Sequence, residues 1–211
     1  MLATLAVLAS LTIITMMSPG PDMLLIIKYA MARSRLPALA CVAGICVGLS
    51  VHISLSIFGV AALIAASTTL FTLIKVVGAL YLIYLGIKSF SASAQTLVPN
   101  SQSLQVAQPS LMNAFRAGML CNMLNPKATL FILAVFTQLV EVETSVLDKI
   151  AYGAFILTLV LVVWGLFAML IRTGPVLNLL QKYQLVIDKL VGGFLVLIGA
   201  GLIAEDTLLS D

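Results

Sequence analysis

Two short stretches decide the fold: Ser18-Pro19-Gly20-Pro21-Asp22 and Asn122-Met123-Leu124-Asn125-Pro126-Lys127. Each sits inside a long apolar run and interrupts it. Proline lacks an amide hydrogen and clashes with the preceding turn, so Pro19, Pro21 and Pro126 are predicted to break helices. Each break leaves a charge, Asp22 or Lys127, in the middle of its hydrophobic run. A charge at a bilayer centre costs about 2.5–3.5 kcal/mol even on the lenient insertion scale, and such residues mark substrate or ion pathways. Broken helices that carry charges at mid-depth belong to secondary transporters more than to any soluble fold.

Composition agrees. Of 211 residues, 62% are hydrophobic and 9% charged, with a mean hydropathy of +1.18. Soluble domains carry roughly 25% charged residues, so this chain cannot cover a water-facing surface. Six spans are expected, at about 2–32, 38–66, 70–89, 113–140, 147–171 and 185–204. Each offers about 20 residues or more, enough for the hydrocarbon layer. The expected fold is therefore an all-α membrane protein of six transmembrane helices, the first and fourth broken. No stretch remains for a soluble catalytic domain, and no enzyme activity, cofactor, metal site or nucleic-acid partner is expected. The N-terminus has no basic region or cleavage site of a secretory signal, so it is read as an uncleaved first span.

The charges sort by side. With six spans, Lys28, Arg33, Arg35, Lys88, Arg116, Arg172, Lys182 and Lys189 fall on one face, against Lys75 and Lys149 on the other. The positive-inside rule puts the first face in the cytoplasm and both termini in the periplasm of an inner-membrane protein. The halves also resemble each other. Lys75-Val-Val-Gly78 aligns with Lys189-Leu-Val-Gly192, and Pro21-Asp22 with Pro126-Lys127; the two offsets differ by about the length of the polar insert at 141–149. The domains expected are a three-helix repeat over 1–90, an uncharged cytoplasmic linker over 91–112 and a second repeat over 113–211. An odd number of spans per half makes the repeats inverted, with the site near the midplane.

After each break a new half-helix should start, with Gly20 as N-cap and Pro21 first, then Asn125 as N-cap and Pro126 first. Two such N-termini, converging, make a seat for an anion such as a carboxylate. Asp22 reads as the only carboxylate deep in a span. It is a contact for a substrate ammonium or a coupling proton, set against a simple capping role worth about 0.3–1 kcal/mol. Lys127 opposes the dipole of its own helix; it either pairs with Asp22 or attracts an anion. Asn122 lies near Asn125 on one face and either holds substrate or satisfies the broken backbone. His52 is a candidate proton relay, with a buried hydrogen-bonding role as the plainer reading. Gly44 and Gly48 predict close helix packing. Tyr81 and Tyr84 read as packing or interface residues, and Cys41, Cys46 and Cys121 as small buried hydrophobes.

Together these elements resemble the LysE/RhtB family of bacterial amino-acid exporters. The matching residues are Ser18-Pro19-Gly20-Pro21-Asp22, then Gly44 and Gly48, Gly78-Ala-Leu-Tyr81-Leu-Ile-Tyr84-Leu-Gly86, and Phe115-Arg-Ala-Gly118 running on to Asn122 and Asn125-Pro126-Lys127. The resemblance implies export of an amino acid such as homoserine, threonine, leucine or lysine in exchange for protons. It carries over only Pro19–Pro21 and Asn125–Lys127; His52 lies outside the family's motifs. The partners expected are an amino-acid substrate, the lipid bilayer and a coupling proton, with a homodimer left open. Two rivals stand beside this reading: a cation or metal exporter, and a membrane thiol–disulfide electron carrier using the cysteines.

Overall fold

A computed structural model describes residues 2–31, 34–66, 68–90, 109–139, 144–171 and 175–208. The linker expected at 91–112 lies outside them up to residue 108, as do Arg33, Arg172, Glu141, Glu143 and Asp211. The described residues form eight helices: α1 (Leu2–Met17), α2 (Pro21–Ala30), α3 (Leu36–Ala66), α4 (Thr68–Phe90), α5 (Leu111–Met123), α6 (Pro126–Leu139), α7 (Val146–Leu170) and α8 (Pro175–Leu208). Four stretches are long and apolar enough to cross a membrane: Leu36–Gly59, Thr72–Phe90, Val146–Leu170 and Asn178–Gly201. The remaining helices form two pairs, each bent at a short break, by 65° between α1 and α2 and by 57° between α5 and α6. Counting each bent pair as one span makes six.

Local chemistry explains the ends. α2 starts at Pro21 behind an extended Gly20, and α6 at Pro126 behind Asn125. The Asn125 side chain accepts from the Lys127 backbone N–H at 3.0 Å, the cap that its position predicts. At α7, Ser145 accepts from the Asp148 N–H at 3.1 Å while its hydroxyl donates to the Asp148 carboxylate. One boundary differs clearly from expectation. The last helix begins at Pro175, ten residues before the expected 185, because Gln181-Lys182-Tyr183-Gln184 hides its first turns from a hydropathy scan.

The closest packing is between α3 and α5. A Cβ on Gly44 would strike the Phe115 carbonyl, one on Gly118 the Cys41 carbonyl, and one on Gly48 would come within 2.8 Å of the Met119 carbonyl. The contacts advance together along both helices, so α3 and α5 run parallel. Gly44 and Gly48 thus pack closely, as expected, with Gly118 as their partner across the seam. α4 and α8 form the other extensive pair and run antiparallel: Gly86 meets Gly192, and Ala79 meets Gly199. Leu8, Ile26, Ile45, Ile132, Phe136 and Ile156 fill the interior, while Leu55, Leu190 and Leu197 face outward.

Candidate functional site

The two breaks meet. The side chain of Asp22, on the first turn of α2, leaves its own helix and accepts from the amides of Asn122 (2.9 Å) and Asn125 (3.3 Å) across the junction. Lys127, on the first turn of α6, crosses the other way and donates from Nζ to the Ser18 carbonyl at 2.9 Å. That carbonyl lies just past the C-terminal end of α1, where the helix dipole is negative. Each half's charge is therefore held by the other half's broken backbone or its amides. Asp22 takes amide donors instead of the Lys127 ammonium, so a direct ion pair is not the resting arrangement of these two residues.

A cavity of about 80 Å³ opens beside the junction, against the ~10–15 Å³ one water's centre needs. Asp22, Asn122, Asn125, Lys127, Gly20 and Ser18 line one side of it. Thr12, Thr15, Met16, Met23, Ile45, Leu49, Phe131, Ile156, Val160 and Trp164 form much of the rest. Four of its buried polar atoms have no hydrogen-bond partner: Asp22 Oδ1, Asn122 Oδ1, and the hydroxyls of Thr12 and Thr15. Buried polar atoms are nearly always paired, so a cluster of orphans around one cavity is the arrangement a polar cargo would complete. On the other face of the junction lies a cleft of about 650 Å³, where Pro19, Pro21 and Pro126 meet Tyr81, Tyr84, Lys88, Gln184 and Asp188. Ser18, Gly20, Asn125 and Lys127 border both spaces.

Of the residues singled out from sequence, Gly20, Asp22, Asn122, Asn125 and Lys127 all line the central cavity, while Pro19, Pro21 and Pro126 line the cleft. His52 lines neither. Its Nε2 lies 3.1 Å from the Asn122 carbonyl, where it can donate, and 3.5 Å from the Thr129 hydroxyl. It thus holds the C-terminal end of α5. Tyr81 and Tyr84, expected to be packing or interface residues, line the cleft with ring centroids 5.9 Å apart. The expectation that Asp22 is the only deep carboxylate is corrected: Asp188, inside the Asn178–Gly201 stretch, is only 2% exposed. Sequence reasoning also passed over Thr12, Thr15, Trp164 and Gln184. The available signal was spacing, because Thr12 and Thr15 are three apart, and Gln184 and Asp188 four apart, each pair on one helix face.

Among the described residues no three His, Cys, Asp or Glu side chains gather into a metal-binding cluster. The three cysteines are free thiols.

A multi-pass helical protein whose broken helices carry opposite charges to one junction, beside a cavity with unsatisfied polar atoms, has the build of a membrane transporter. The chain belongs to the LysE type translocator family, which it matches over residues 13–206. It is 32% identical to an uncharacterized membrane protein, YrhP, of Bacillus subtilis over 208 residues, 96% of each chain. It is 30% identical to the threonine efflux protein of Escherichia coli K12 over 171 residues, 81% of this chain and 76% of that one. A membrane protein of Vibrio cholerae shares 34% identity over 125 residues, 59% of each chain. No solved structure matches.

Proposed function

We propose that this protein exports a small zwitterionic amino acid across the bacterial inner membrane by exchange for protons. The observation that carries this reading is the central cavity, which offers one carboxylate and one ammonium at opposite ends of a shared junction. The cargo's ammonium meets Asp22 Oδ1 and Asn122 Oδ1, which lack partners. Its carboxylate meets Lys127 and the N-terminal N–H groups of α2 and α6. With both charges engaged by the backbone of the amino acid, no charged group remains to neutralise a side chain. A neutral side chain fits the rest of the wall: apolar residues with the hydroxyls of Thr12 and Thr15 among them. The threonine efflux relative agrees with cargo of that kind.

Asp22 is the coupling group, taking a proton when cargo leaves. The two three-helix halves, 1–90 and 113–211, insert in opposite directions around the junction, with both termini periplasmic, and the helices outside the α3–α5 seam move to alternate access. The antiparallel α4–α8 contact supports such an arrangement.

The test is uptake of radiolabelled amino acids into inverted vesicles under an imposed proton gradient, beside growth on toxic analogues with the gene overexpressed or deleted. Gradient-driven uptake of a neutral amino acid, lost in Asp22→Asn, is the expected result. Undiminished uptake by Asp22→Asn removes Asp22 from the mechanism, and no uptake of any amino acid removes the function.

A further inference from the structure

The cleft between α4 and α8 is larger than the central cavity and no less polar in design. Gln184 and Asp188 are one turn apart on α8, 3% and 2% exposed, and both line it. The Gln184 Oε1 atom is buried without a hydrogen-bond partner. Asp188 has Lys127 as its opposite-charge neighbour, and Lys127 also has Asp22 within electrostatic reach. Lys88, whose ammonium lies 5.9 Å from the Tyr84 ring centroid, borders the same cleft. Lys127 therefore borders both spaces, with Asp22 lining the central cavity and Asp188 the cleft.

A structural salt bridge explains this poorly. An intramembrane acid is costly, and Lys127 already has a hydrogen-bond acceptor in the Ser18 carbonyl. The orphaned Gln184 oxygen points to something the protein itself does not supply. A zwitterion meets each of these needs at once. Its ammonium takes Asp188 and the Gln184 oxygen, and its carboxylate takes Lys127.

We propose that the α4–α8 cleft is a second amino-acid station, where Asp188 and Gln184 hold the cargo's ammonium while Lys127 holds its carboxylate. Cargo then passes between the cleft and the central cavity by pivoting on Lys127, its ammonium exchanging Asp188 for Asp22. The station rests on the exporter reading. It adds a residue, Asp188, whose role that reading does not require.

The experiment uses the full chain, purified in detergent and reconstituted in liposomes, with radiolabelled L-threonine as the probe. Equilibrium dialysis measures the stoichiometry and the overall affinity. Trp164, the only tryptophan of the chain and a lining residue of the central cavity, reports that cavity by its fluorescence. Because both stations use Lys127, wild type is expected to bind one molecule per chain, distributed between them; Asp188→Asn should bind it more weakly, with a larger Trp164 response at saturation and an unchanged melting temperature. Transport should fall about tenfold or more, as expected when one member of a buried charge contact is removed, with partial recovery in Asp188→Glu. An affinity and a saturating Trp164 response that are both unchanged in Asp188→Asn, or normal transport by it, overturn the station and leave the exporter reading standing. Loss of the Trp164 response in Asp188→Asn also overturns it, because Asp188 would then act on the central cavity. A wild-type chain that neither binds nor moves any amino acid overturns the exporter reading, and the station with it.

Discussion

Lys127 sits on the first turn of a helix whose dipole disfavours it, and its side chain answers the problem by leaving. It spans the junction to the Ser18 carbonyl at the negative end of α1. Asp22 does the converse, ignoring the N–H groups of its own helix for two asparagine amides. The Asn125 side chain serves both, capping α6 through its oxygen and donating to Asp22 through its nitrogen. Asn125→Ala should therefore cost about 1 kcal/mol for the cap alone, and impair transport as Asp22 loses a donor. A lowered melting midpoint together with slower uptake checks this; an unchanged midpoint would show that the cap contributes nothing. His52 supports the site from behind, through the Asn122 carbonyl, and borders neither space. His52→Gln keeps a donor there, so it should retain gradient-driven uptake with an unaltered pH profile. A large loss of coupling with binding intact would place His52 in the proton path.

At the scale of elements, much is legible in the amino-acid sequence. Proline and asparagine marked both breaks, because missing donors and caps are local chemistry. Gly44 and Gly48 marked a close seam for the same reason. What stayed hidden was relational. The Lys75–Gly78 and Lys189–Gly192 stretches look alike, yet Gly192 packs on Gly86 while Gly78 packs on Ala134. Asp188 escaped notice because the polar turn ahead of it made the helix look as though it began later. The seam makes a sharp prediction. Gly48→Ala and Gly118→Ala push a methyl into the backbone or side chains of the opposing helix and should destabilise by about 1–3 kcal/mol. A Cβ on Gly59 meets nothing within 4 Å, so Gly59→Ala should be neutral or gain up to about 1 kcal/mol from helix propensity. Thermal melting of the three variants in one detergent decides between them. Equal midpoints would mean that the seam is looser than described.

For the whole molecule, the proposed six-span topology with its positive-inside pattern puts Ser110 and Ser145 on opposite faces of the membrane. In a variant with Cys41, Cys46 and Cys121 replaced by alanine, an impermeant maleimide should label Ser145→Cys in intact cells. It should label Ser110→Cys only after permeabilisation, and labelling of both from outside would break the topology. The same cysteine-free background should still transport, a result that a thiol–disulfide carrier could not give.

The glycine seam has a mechanical consequence. Rods joined closely, with Gly44 and Gly118 set against opposing carbonyls, can neither roll nor slide past each other without a clash. α3 and α5 therefore form a chassis, and with them Asn122 is a fixed coordinate of the machine. Shape change has to be borne by the helices outside that weld, and spin labels across it should keep one distance whether the carrier is loaded or empty.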